Sequence, residues 1–180
     1  MTIFEIILIG IALSMDAFAV CLSSGMVYPG LSRAKKMSMP VAFGIFQGLM
    51  PIAGFYLGSF FADFINKFSG PVALVILGVI GVNMIREGIS PDEKAEEKTL
   101  TFKVLIMQAV ATSIDAFAVG VSFAAGGAPI FAAAPIIAVT TFILSTAAVF
   151  IGGRVGERLG DRAEILGGVI LIIIGIKAMF

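Results

Sequence analysis

Two aspartates stand inside apolar runs in the same seven-residue setting, Ser14-Met-Asp16-Ala-Phe-Ala-Val20 and Ser113-Ile-Asp115-Ala-Phe-Ala-Val119, which differ only at the second position. An Asp at the centre of a membrane helix costs about 2.5–3.5 kcal/mol even on mild insertion scales, so an intramembrane acid is a functional candidate by default. On a helix Ala12, Asp16, Ala19 and Ser23 share one face, and Ala111, Asp115, Ala118 and Ser122 repeat it. Carboxylates, hydroxyls and amide carbonyls are hard oxygen donors, suited to Mg²⁺, Ca²⁺ or Mn²⁺, whereas Zn²⁺ and Cu⁺ sites draw on His or Cys. The chain has no His and one Cys, which argues against the softer metals. Two ionised Asp would neutralise a divalent ion. A proton arriving on one of them would cancel half of that match, which offers one way to eject the metal with H⁺ as counter-ion.

Two other chemistries suit paired acids. They could bind the ammonium group of a small amino-bearing solute, or they could hydrogen-bond across a bundle as helix glue in a membrane scaffold. No nucleophile–base pair, phosphate loop or redox motif accompanies them, so an enzyme is the least expected class and no cofactor is called for. A nucleic-acid partner is not implied either.

The elements that must position these acids follow from composition. The 180 residues are 59% hydrophobic and 13% charged, with a mean hydropathy of +1.08. That is too apolar to fold around a water-soluble core and still present a polar surface. The expected class is an all-α integral membrane protein. Six apolar segments, near 3–26, 38–62, 70–88, 102–125, 129–151 and 164–180, approach the roughly 20 residues a helix needs to cross the hydrocarbon core. The amino-terminal Met-Thr-Ile-Phe-Glu lacks a basic region, so the first run is expected to be retained as a helix. Cys21, being alone, allows no disulfide within the chain.

Of the twelve cations, all but Lys67 and Lys177 fall in or beside the first, third and fifth loops. The positive-inside rule then places those loops in the cytoplasm and both termini outside. With three spans in each half, the second half enters the membrane the other way up. The expected organisation is two inverted-topology three-helix repeats, 1–89 and 102–180, joined by a cytoplasmic linker at 90–101. Ser90-Pro-Asp-Glu93 carries an N-cap, a Pro at the first helical position and an acid three residues on, and so predicts a short helix in that linker. Inverted repeats recur in secondary transporters, with the substrate site near the midplane and alternating access between the halves. Asp16 and Asp115 should approach that midplane from opposite faces.

Further polar residues become candidates for the pathway. Pro51 leaves the carbonyl of Gln47 without its i+4 donor beside an amide side chain. Thr112, Ser23 and Ser122 neighbour the acids, while Thr141 and Ser145 lie in the densest polar group of the fifth span. Asn83 and Lys177 occupy corresponding places in the third and sixth spans. Lys177 is expected to snorkel to the outer interface, with pairing to an Asp the lesser alternative. Glu87 and Glu164, near the cytoplasmic ends of those spans, are candidate gates. Glycine pairs at spacing four (Gly44/Gly48, Gly54/Gly58, Gly152/Gly156) imply a tight bundle.

The duplicated Asp motif, together with Met84-Ile-Arg-Glu-Gly88 and Ala163-Glu-Ile-Leu-Gly-Gly168, resembles the bacterial manganese efflux pump family known as MntP, across essentially the whole chain. The resemblance implies a six-helix exporter of the bacterial cytoplasmic (inner) membrane that lowers cellular Mn²⁺, with Mn²⁺ as transported substrate. Asp16 and Asp115 match the family's essential intramembrane acids. The family is more distantly similar to exporters of amino acids and other cations. Position 47, an acid in some relatives, is Gln here.

Overall fold

The computed structural model describes residues 2–28, 32–89, 100–126, 128–159 and 162–177, of which the side chains of 58–70 and of a few other helical positions lie outside the description. Six helices account for nearly all of it: α1 (Ile3–Val27), α2 (Arg33–Ile89), α3 (Phe102–Thr112), α4 (Ile114–Gly126), α5 (Ile130–Leu159) and α6 (Arg162–Lys177). The linker helix expected from Ser90 falls outside the described residues. Helix α1 starts on a reciprocal cap. The Glu5 N–H donates to Thr2 Oγ1 at 3.3 Å and the Thr2 N–H to Glu5 Oε2 at 2.9 Å, which satisfies two donors that the first turn leaves free.

Four stretches are long and apolar enough to cross a membrane, Ile3–Val27, Arg33–Leu57, Phe102–Ala124 and Ile130–Gly156, with a shorter apolar helix at Ile165–Lys177. Large apolar side chains such as Phe4, Leu8, Leu49, Val79, Phe131 and Ile143 point outward. An apolar exterior on apolar helices is what lipid solvates, so this is a multi-pass membrane protein.

Two elements depart from the expected spans. Helix α2 is hydrogen-bonded as one 57-residue helix with Pro40, Pro51 and Pro71 inside it, where the sequence predicts two spans. Its two arms nevertheless run in opposite directions. Gly44 rests against Ala138 and Phe142 and Gly48 against Ala138 and Ala134, so the first arm is antiparallel to α5. Helix α1 is parallel to α5, because Gly10 meets Ile137 and Gly25 meets Val149. In the second arm Leu74 meets Gly175 and Gly81 meets Ile172, antiparallel to α6. Helix α6 is itself antiparallel to α1, since Ser23 bonds Gly167 while Asp16 bonds Lys177. The course of α2 therefore reverses between Leu57 and Leu74.

The second departure is the fourth expected span, 102–125, which is broken at Ser113 into α3 and α4. The first copy of the motif reads Leu13-Ser14 and stays helical, whereas the second reads Thr112-Ser113. Thr112 Oγ1 donates back to the carbonyls of Gln108 (3.0 Å) and Ala109 (3.3 Å), and Ser113 Oγ donates to that of Val110 (3.1 Å). Two consecutive hydroxyls taking backbone acceptors compete with the helical ladder.

Packing is close and reciprocal. Helix α1 packs chiefly on α5, and α2 packs on α4, α5 and α6. Two buried apolar clusters result. One gathers Ala17, Val20, Met39, Phe43, Leu105, Ala111 and Leu171; the other gathers Ile6, Leu13, Ala116, Phe123 and Ile137. Along the chain Asp16 falls between Leu13 and Ala17, and Asp115 between Ala111 and Ala116, so each acid marks the level at which one cluster gives way to the other.

Candidate functional site

Helix α1 carries Asp16 at about half its length, with its side chain 28% exposed. Asp115 lies in the first turn of α4, immediately after the break. In an unbroken helix the Ala116 N–H would bond the carbonyl of Thr112. Here it donates to Asp115 Oδ1 at 2.8 Å, so the carboxylate caps the free start of α4, where the helix dipole favours negative charge. Asp16 and Asp115 lie within coulombic range of one another, and Lys177 within range of Asp115. The structure thus places the two acids of the duplicated motif near enough to feel each other's charge.

Lys177 corrects the expectation of a snorkelling residue. Its Nζ donates to Asp16 Oδ1 at 3.2 Å, forming an ion pair. The levels of the helices explain it. Ser23 Oγ donates to the carbonyl of Gly167 at 2.9 Å; from that contact Lys177 is ~15 Å along α6 and Asp16 ~10 Å back along α1, at 1.5 Å per residue. The long lysine stem spans the difference. The ammonium is therefore level with the middle of α1, not with its outer end.

Hydroxyl and amide groups complete a polar layer. Ser14 Oγ is within 2.8 Å of Thr141 Oγ1 and also bonds the carbonyl of Gly10. Gln47 Nε2 donates to the carbonyl of Leu13 at 2.7 Å, while its buried Oε1 has no partner among the described residues. Gln108 Oε1 is likewise buried and without a partner among the described residues, while buried Ser145 Oγ has only the Cys21 thiol as a neighbour to bond. Such orphaned acceptors are rare in folded proteins and point to a ligand, an ion or water.

The remaining candidates fall elsewhere. Ser23 ties α1 to α6, and Thr112 forms the helix break. Ser122 is exposed and bonds its own turn at Ala118 (3.2 Å). Asn83 is exposed two residues beyond Gly81, whose own neighbours are Gly168 and Ile172, so it sits roughly 13 Å along α6 from Lys177. The side chains of Glu87 and Glu164 lie outside the described residues. Gln108 and the break are not among the features expected from the sequence, and the Lys177 pair is there only the lesser alternative. The signal for the break was Thr112 in the place of Leu13.

Among the described residues no three His, Cys, Asp or Glu side chains cluster, so any metal here would rely on the two Asp plus hydroxyl, amide or carbonyl oxygens and water. Fold and site together define a multi-pass helical membrane protein with paired intramembrane carboxylates. The family model described as "Mntp: Putative manganese efflux pump" matches residues 30–179. Relatives carrying the name "Putative manganese efflux pump MntP" include those of Ruminiclostridium cellulolyticum (44% identical, covering 98% of this chain and 95% of the relative) and Campylobacter hominis (48%, 97% and 96%). The one from Methanobrevibacter smithii is 41% identical over 99% of this chain and 97% of the relative. No solved structure matches. The chain belongs to the manganese efflux pump family, MntP.

Proposed function

We propose that the protein is a secondary active exporter of divalent manganese, and that Asp16 and Asp115 bind the ion near the middle of the membrane. The observation that carries this reading is the approach of the two motif acids to within range of each other's charge at a helix break. Two carboxylates balance one divalent charge, and the available donors are hard oxygens. Discontinuous helices at mid-membrane are where transporters build ion sites. Reciprocal packing supports the inverted repeat: α1 lies on α5, and α4 crosses the first arm of α2 at Gly54 and Gly120, so the first span of each half meets the second span of the other. Alternating access would then rock one half against the other, with loops one, three and five in the cytoplasm, both termini outside, and the protein in the inner membrane. A proton taken from outside would neutralise one carboxylate and help to release the metal.

The test is uptake into inside-out vesicles containing the purified protein, comparing Mn²⁺, Mg²⁺, Ca²⁺ and Zn²⁺. Saturable Mn²⁺ uptake, weaker for Zn²⁺ and altered by an imposed pH gradient, is the expected result. If no metal moves, the reading falls. One observation favours a second reading: Lys177 shows that Asp16 accepts an ammonium group, the chemistry of an amino-solute exporter. That reading predicts that amino acids compete with Mn²⁺ in the same vesicles.

Gln47 provides a finer check. Gln47→Leu loses the bond to Leu13 but also removes an orphaned acceptor, and these offset to within about 1 kcal/mol. Melting should shift little. If the amide oxygen faces the ion, the KM for Mn²⁺ should rise severalfold; an unchanged KM would remove Gln47 from the pathway.

A further inference from the structure

We infer that Lys177 is a tethered counter-cation, occupying Asp16 between transport events and withdrawing when a divalent ion binds. This rests on the reading of Asp16 and Asp115 as the metal-binding pair. The ammonium donates to Asp16 Oδ1 at 3.2 Å and lies within coulombic range of Asp115. Between Glu5 and Val27, α1 holds no charge other than Asp16, and from Val104 to Gly126 the fourth span holds none other than Asp115. Among the described residues, the charges acting on Asp115 are those of Asp16 and Lys177, so the charge of the site is set there by two acids and one lysine. Without metal, Lys177 leaves a single unmatched negative charge. With a divalent ion bound and the ammonium still in place, one positive charge is in excess, so metal and ammonium compete for the same carboxylate.

The lysine is built to yield. Its side chain is 70% exposed and bonds no other group among the described residues, and an ammonium on a flexible four-carbon stem makes a single point contact without a fixed geometry. A monovalent cation could replace it only by exchanging one unit charge for another. Displacement by a divalent ion gains a charge, so the tether would help to select by valence. It would also keep an empty carrier from resetting with two bare carboxylates at mid-membrane.

The test is Mn²⁺ binding to the detergent-purified protein by calorimetry, with variants chosen to move affinity in opposite directions. Lys177→Met removes the competitor and should bind Mn²⁺ roughly tenfold tighter, with slower release seen as lower vesicle turnover. Lys177→Arg holds Asp16 by a fork that a carboxylate grips at two points, and should bind Mn²⁺ severalfold more weakly. A lysine that merely fastens α6 to α1 would lower melting in the Met variant without tightening the metal. Unchanged or weaker binding by Lys177→Met overturns the inference. Should that variant not fold, wild-type or tighter affinity in Lys177→Arg overturns it instead. Asp16→Asn, measured alongside, separates the two levels: metal binding that survives it sinks the underlying site, whereas its loss with no response at Lys177 sinks the tether alone.

Discussion

Inside-out vesicles carrying Asp115→Asn are expected to take up at least a hundredfold less Mn²⁺ than wild type while the protein still folds. Asn keeps the shape of Asp and an oxygen that can accept the Ala116 N–H, so the start of α4 stays capped. What is lost is one unit of charge facing a divalent ion. At ~4 Å and an effective dielectric of about 20, two unit charges attract by about 4 kcal/mol and a unit charge attracts a divalent ion by about twice that, so with about half of it offset by desolvation the loss is still beyond a hundredfold in affinity. Asp16→Asn should abolish transport as completely, with one added effect. It leaves the Lys177 ammonium without its acid, so this variant should melt below Asp115→Asn. The difference should be modest, because the lysine is largely open. Uptake within twofold of wild type in both variants would leave the acids as structural glue and the protein as a scaffold.

The second large effect concerns backbone approach. A Cβ on Gly120 would lie 2.1 Å from the carbonyl oxygen of Pro51, and one on Gly54 would lie 2.0 Å from that of Phe117. In both cases the obstacle is main chain, so no side chain can rotate away, and α2 and α4 must part. Overpacking a core by a few methylenes already costs about 1–3 kcal/mol. Gly120→Leu is therefore expected to prevent stable assembly, read as loss of protein from detergent-extracted membranes. Gly78→Ala is the control, because a Cβ there meets nothing within 4 Å. If Gly120→Leu accumulates and melts like wild type, the close crossing does not exist.

The acids and the membrane class were legible in the sequence because each depends on local pattern, whereas the second copy of the helix face is divided by the break between Ala111 and Asp115. A carboxylate in an apolar run is conspicuous wherever the run folds. Glycines at spacing four announced tight crossings, though not their partners: Gly44 and Gly48 meet α5, whereas Gly152 and Gly156 meet α1 at Leu22 and Met26. Lys177 was misplaced because hydropathy measures distance from the end of a segment, while its actual level is fixed by the stagger of α6 on α1. The break at Ser113 was readable in principle. Thr112 and Leu13 are equivalent positions, and a hydroxyl beside a second hydroxyl weakens a helix. Proline in α2 has no single meaning: Pro40 and Pro51 sit inside its first arm, as membrane helices allow when neighbours satisfy the freed carbonyl, whereas Pro71 falls in the stretch over which the helix reverses.

The apolar clusters on either side of the acids have a consequence for the cell. An inside-negative potential of 100 mV draws a divalent cation inward with about 4.6 kcal/mol, at 2.3 kcal/mol per charge. That corresponds to a roughly thousandfold equilibrium accumulation. If both clusters parted at once, even rarely, the pump would become a leak that fills the cytoplasm with the ion it should remove. Side chains such as Phe43 and Leu105 on one side and Phe123 and Ile137 on the other are then electrical insulation, and their fit decides whether work done against the potential is kept.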